Sequence, residues 1–177
     1  MKKHITEETI IFFSVLKWLF LSTSVGIIIG YLMSIFLKTL KFAEVSQSAI
    51  PMPYYFILPF GLMLTIWIIQ TFDENATGHG TEKVIEAVHE NNGYINAKVI
   101  PVKLIATVIT IFSGGSVGKE GPGAQIGAGA ASFIGTVLKF SKKDRKKLVI
   151  CGISAGFASV FGTPIAGAIF GIEVLVV

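Results

Sequence analysis

Charge is what this sequence has least of. Lys, Arg, Asp and Glu make up 15% of its 177 residues, against roughly 25% in soluble domains, and that shortage excludes an ordinary water-facing surface. Cysteine is nearly absent. The single Cys151 supports neither a disulfide framework nor a metal cluster, and in its apolar setting it reads as a small buried hydrophobe. The three histidines, at 4, 79 and 89, form no H-E-x-x-H and no other metal-ligand spacing. No low-complexity tract, strand-rich segment or soluble domain is visible.

What remains is apolar. Hydrophobic residues are 52% of the chain and mean hydropathy is +0.71, and a chain this short has too little interior to hide that much apolar surface from water. An integral membrane protein is expected. Its 19 glycines suit close helix packing in lipid. The formal net charge of +4 fits basic loops on the cytoplasmic side, with the lipid bilayer as partner and no nucleic acid. The N-terminal MKKHITEE contains two acids and the run behind it lacks an A-x-A site, so that run is expected to stay as the first span.

The hydrophobic pattern predicts spans near 9–37, 51–72, 99–115, 122–139, 148–161 and 164–177, with a short interfacial helix over 81–90. Residues 18–37 and 51–72 carry no charge and have the roughly 20-residue length that crosses a bilayer. Pro51 and Pro53 suit a helix entry. The later segments are short and start or stop at Gly or Pro, a pattern that points to discontinuous helices around a midplane site. SKKDRKK at 141–147 reads as a solvated loop on the inner side. Small residues at 123, 127 and 131, at 152 and 156, and at 167 and 171 read as packing stripes of a tight bundle.

Within this apolar sequence, 114–123 reads GGSVGKEGPG. It is not a P-loop, because Glu120 stands where the Ser/Thr would follow Gly118-Lys119. Ser116 and Lys119 form S-x-x-K without the partner motifs of serine acyl enzymes, and an enzyme is not expected. A helix starting near Pro122 would present unpaired N–H groups and a positive dipole end, which together attract anions. Glu120 is placed to occupy that site itself and compete with a mobile anion. Protonation would then release it, and anion passage would depend on pH. A second helix start near Thr81, preceded by Gly78, His79 and Gly80, is a candidate to converge on the same place. The candidate set is therefore Glu120 as gate, with Gly78, His79, Gly80, Gly118, Lys119, Gly121 and Pro122 around the anion. Lys119 has the weaker claim, as a source of positive potential.

These residues resemble the chloride channel and chloride/proton antiporter (CLC) family. G-K-E-G-P at 118–122, followed by QIGAGAASFIG, is similar to that family's central helix. AGFASVFGTPIAGAIFGIEVL at 155–175 resembles its A-G-x-A-x-x-F-x-x-P-x-x-G-x-x-F-x-x-E pattern. G-H-G at 78–80 resembles its G-x-G-x-P turn. The resemblance implies an all-α, polytopic membrane fold with broken and re-entrant helices, the first half of an inverted-repeat anion channel fold. It implies that Glu120 matches the gating glutamate, and that His79 stands where many members have a serine on the central anion. Thr81 and Glu82 replace the usual Ile/Val and Pro. Glu82 adds negative charge near the expected path, unless it turns to the cytoplasm or pairs with Lys83. Glu173 and Val174 mark the inner helix end; valine stands where antiporters often carry a second glutamate, which is channel-like.

Family members contain two inverted halves, and the resemblance covers the N-terminal half only. The end at Leu175-Val176-Val177, inside an apolar helix, reads as truncation. The implied function is channel-like chloride (anion) transport with a protonatable glutamate gate and no cofactor, chloride being the transported ligand. Chloride/proton antiport, a non-conducting half that assembles with a missing second half, and fluoride export stay open beside it. The expected setting is a prokaryotic cell membrane, as a homodimer of the full-length form or in association with a second half.

Overall fold

The computed structural model describes residues 2–49 and 54–176, and every long element among them is helical. The order is α1 (Lys2–Ser48), α2 (Tyr54–Phe72), a 3-10 turn (Glu74–Ala76), α3 (Thr81–His89), α4 (Val99–Phe112), α5 (Glu120–Val137), α6 (Lys142–Phe161) and α7 (Pro164–Val176). The expected helix entry at Pro51 and Pro53, and Val177, lie outside the described residues.

The first helix is longer than its hydropathy suggests. It runs unbroken for 47 residues, about 70 Å at the α-helical rise, where the apolar pattern stops near residue 37. Lys38 and Lys41 end the run that lipid will accept, but a charge does not interrupt i→i−4 hydrogen bonding, and no Gly or Pro falls between 31 and 49. Its inner face is a stripe spaced by three and four: Val25, Ile29, Met33, Phe36, Leu40 and Ala43 are all buried. The opposite face shows Ile27, Ile28, Tyr31 and Ile35. Apolar side chains exposed along a helix of this length belong against lipid.

The basic stretch 142–147 also departs from expectation, because it is the start of α6 and not a loop. Ser141 caps it, its Oγ accepting from the Asp144 amide at 3.1 Å. Lys and Arg are good helix formers once a cap is present. Elsewhere helix ends move by a few residues. α4 stops at Phe112 because Gly114 turns the chain at φ 86°. α5 begins at Glu120, two residues before Pro122, which leaves the proline in the first turn where its missing N–H costs nothing. Cys151 is a free thiol, half-buried and not fully enclosed.

α5 is the centre of the bundle. Residues 121–132 are buried without a break, with α6 as the most extensive neighbour and α1, α3 and α4 on the other sides. That is possible because eight of those twelve are Gly or Ala, so neighbouring backbones come into direct contact. A Cβ on Gly127 would stand 2.5 Å from the Gly152 carbonyl oxygen and 3.1 Å from the Gly156 Cα. α7 closes on α6 in the same way, Gly167 lying against Ser154 and Ala158. In lipid, where apolar contact alone gives little preference for helix over lipid, such close approach is a main source of association.

We therefore expect Gly127→Ala, a single added methyl, to destabilise the protein by about 1–3 kcal/mol. Gly30→Ala on α1, where nothing lies within 4 Å of the added Cβ, is expected to leave stability unchanged or slightly raised. Unfolding midpoints of the two variants in one detergent check the contrast.

Candidate functional site

The chain leaves helix between α2 and α3, and the freed backbone is tied down residue by residue. Asp73 caps the 3-10 turn, its Oδ1 accepting from the Asn75 amide and from Asn75 Nδ2, both at 3.0 Å. Gln125, on α5, donates from Nε2 to the Asn75 carbonyl at 2.7 Å. Lys103, on α4, donates from Nζ to the carbonyls of Ala76 at 2.9 Å and Gly78 at 2.7 Å. These bonds matter because backbone carbonyls left bare at membrane depth are costly.

Gly78 and Gly80 then turn the chain with φ of 69° and 93°, a region that favours glycine. Gly80 is the residue before α3, and Val84 N donates back to its carbonyl at 3.2 Å. The turn lands on the first residues of α5. A Cβ on Gly80 would lie 2.7 Å from the Gly121 carbonyl oxygen, and one on Gly121 would overlap the His79 carbonyl. Two helix starts, α3 and α5, thus abut with no side chain between them. Neither has a side-chain cap of its own.

Glu120 is the first residue of α5, half-buried, and its carboxylate folds back over Gly118. It borders two clefts. One, of about 390 Å³, is lined by His79, Thr81, Glu82, Glu120, Gly121, Phe157 and Phe170. The other, of about 860 Å³, opens toward the end of α1 and includes Lys41, Glu44, Gly118 and Lys119. A third cleft, of about 380 Å³, lies between α2, α4 and the turn, and holds Gly78, His79, Lys103, Thr107, Gly118 and Pro122. His79 lines both the first cleft and the third, and Glu120 both the first and the second.

The structure brings together Gly78, His79, Gly80, Gly118, Lys119, Glu120, Gly121 and Pro122 around these clefts. Glu173 and Val174 are elsewhere, toward the end of α7. Glu173 is exposed, and Val174 is half-buried against the core cluster that includes Val84, Val149 and Ile153. Glu82 is exposed at the first cleft, and Lys83 pairs with Glu86 at 2.9 Å and not with Glu82. Three participants were not singled out from sequence. Phe157 and Phe170 stack at 4.0 Å between centroids and wall the first cleft. Lys103 is the third; a lone charge in an apolar helix is the signal that points to it. Among the described residues no group of three His, Cys, Asp or Glu is placed to hold a metal ion.

A helix bundle with two lipid-length helices, short broken helices behind them and two helix starts meeting at a glycine turn has the build of an integral membrane protein. The chain belongs to the voltage gated chloride channel (CLC) family, whose pattern matches residues 61–177. It is similar to the chloride/fluoride channel protein of Pseudomonas syringae pv. tomato, 35% identical over 164 residues, which cover 91% of this chain and 35% of that protein. It is also similar to the H(+)/Cl(-) exchange transporter ClcA of Yersinia pseudotuberculosis, 32% identical over 139 residues, 77% of this chain and 29% of that one. Among solved structures it resembles a CLC-type fluoride/proton antiporter, with a TM-score of 0.81 and 28% identity over 91% of this chain and 40% of that one. The chain thus spans about a third of the length of the curated relatives it matches.

Replacing Lys103 by methionine removes both hydrogen bonds and leaves the buried Ala76 carbonyl and the part-buried Gly78 carbonyl without that donor. An unsatisfied buried acceptor costs about 1–3 kcal/mol. The expected result is faster hydrogen exchange at the amides of 77–81, with the amides of α6 unchanged. Equal exchange in the two proteins at 77–81 would show that the lysine does not hold the turn.

Proposed function

We propose that this chain supplies the first half of a transmembrane anion pathway, with Glu120 as its protonatable gate. The observation that carries the reading is the abutment of the α3 and α5 starts, with the Glu120 carboxylate beside it. Uncapped N–H groups of two helices give a concentrated positive potential, and low-dielectric surroundings leave it less screened than in water. The carboxylate is the local rival of a mobile anion. When it is charged it occupies the site; when it is protonated it withdraws. Flux therefore rises as pH falls. Gly78, His79, Gly80, Gly118, Gly121 and Pro122 supply the backbone around the anion, and Lys119 adds positive charge at the wider cleft.

Two anions fit the reading. The family makes chloride the first candidate, and fluoride stands beside it because one relative is described as a chloride/fluoride channel protein and the structural neighbour as a fluoride/proton antiporter. His79 puts an imidazole where the family often has a hydroxyl, which bears on the choice between them. Val174, in place of an inner carboxylate, favours passive conduction over coupled exchange with protons. The chain covers about a third of each relative, so a complete path of this kind would need a second half, whether on the same polypeptide or on another.

The experiment is anion efflux from liposomes containing the chain, wild type against E120Q, for chloride and fluoride separately. Wild-type efflux should climb as pH is lowered. E120Q should be insensitive to pH and exceed wild type at neutral pH by about tenfold, the ratio that ~1.4 kcal/mol of released competition gives. Equal efflux from both proteins at every pH removes the gate. No efflux from either, in a protein that folds, removes conduction by this chain alone.

A further inference from the structure

The start of α6 carries charge that its own helix opposes. Lys142 and Lys143 lie in the first turn, beside the positive end of the helix dipole, where cations are unfavourable. Lys142 with Lys146, and Lys143 with Lys147, are like charges at i,i+4, which repel. Asp144 is the one acid between Lys139 and Lys147, and it is held by Lys17 of α1 at 3.3 Å. Lys139, Lys142, Lys143 and Lys147 are exposed. Among the described residues, that one ion pair is all that offsets the positive charge of this edge.

The same edge has an aromatic centre. Lys147 Nζ stands 4.9 Å from the centroid of the Trp18 ring and Lys17 Nζ stands 5.5 Å from it. Trp18 opens the charge-free run of α1, the position at which tryptophan sits at a bilayer interface. Leu19 and Phe20, next to it on α1, are exposed, and so are Val137 and Leu138 at the C-terminal end of α5. Cations above an interfacial tryptophan, with bare apolar side chains next to it, match one kind of ligand. It has an anionic head and hydrocarbon chains.

We propose that the α1–α6 edge around Trp18 binds an anionic phospholipid. Its phosphate lies on Lys143 and Lys147, and its acyl chains lie along Leu19, Phe20 and Leu138. A basic edge at the membrane surface attracts anionic headgroups, each lysine adding a factor of about five in local enrichment. The lipid supplies the charge that the first turns of α6 lack. This site is independent of the anion pathway, since none of its residues borders the clefts at Glu120.

The chain has two tryptophans, so W67F leaves Trp18 as the only one. This protein is reconstituted in phosphatidylcholine vesicles containing a minor fraction of chain-brominated phosphatidylglycerol or, separately, the same fraction of chain-brominated phosphatidylcholine. Trp18 fluorescence should be quenched more by the anionic lipid, to an extent equivalent to about fivefold enrichment or greater. The preference should vanish in K143Q/K147Q and persist when inorganic phosphate is added in millimolar amounts. Equal quenching by the two lipids overturns the proposal on the wild-type lysines alone, whether or not the double variant folds. Loss of the preference to inorganic phosphate overturns it too, by making the ligand a free anion. A preference retained in a helical K143Q/K147Q protein, checked by circular dichroism, overturns the assignment to these lysines.

Discussion

Two backbones touch where the tips of α3 and α5 meet, and the rest of the fold is arranged around that contact. Gly80 and Gly121 face each other so closely that a methyl on either would enter the other strand of chain. Without side chains between them, the two helix starts present their N–H groups from one small region. The contact cannot hold itself in place, since it is made of a turn and a helix end. The turn is fixed from behind by Asp73, Gln125 and Lys103. The helix end is fixed by the burial of the whole first two-thirds of α5. A membrane makes both requirements strict, because irregular backbone at that depth must find its partners within the protein.

The way α5 is buried follows from the same solvent. A water-soluble core would use large apolar side chains, because burying each removes area from water. Lipid removes most of that incentive, and the helix instead gains by fitting closely against its neighbours. Gly127 against Gly152 and Gly156, and Gly167 against Ser154 and Ala158, are such fits. The large side chains, Phe36, Ile29 and Met33, come from α1 and fill what the small residues leave open. Close backbone contact also limits sliding, so the position of Glu120 at the head of α5 is set by packing along the helix and not by the loop before it.

Some of this was legible in the sequence, and the reasons differ by residue. The charged glycine loop was visible because Lys119 and Glu120 interrupt apolar sequence, and the packing stripes because glycine at helical spacing has few other uses. The end of α1 was misjudged because hydropathy measures transfer into lipid, whereas helix continuity depends on hydrogen bonds that Lys38 and Lys41 do not disturb. The start of α6 is legible as well: Ser141-x-x-Asp144 is a capping pattern, which the run of basic charge obscures. Lys103 could be flagged from sequence but not understood, because its partners are backbone carbonyls. Those carry no letter of their own. Phe157 and Phe170 are distant in sequence and meet only when α7 folds back on α6.

Lys103 also bears on the electrostatics of the proposed site, in a way that its hydrogen bonds alone do not convey. A trans peptide is planar, with its C=O and N–H pointing in opposite directions. Holding the Gly78 carbonyl toward Lys103 therefore turns the His79 amide to the other side of the turn, and the same holds for Ala76 and the Thr77 amide. The lysine is 6% exposed, and among the described residues no carboxylate is in ion-pair range of it. Carbonyl dipoles satisfy its protons without cancelling its charge, and a buried charge left in that state favours an anion nearby. Lys103 lines the same cleft as Gly78, His79 and Pro122, so in the proposed pathway its charge would add to the positive potential that an anion meets there, beside the helix starts and apart from Glu120.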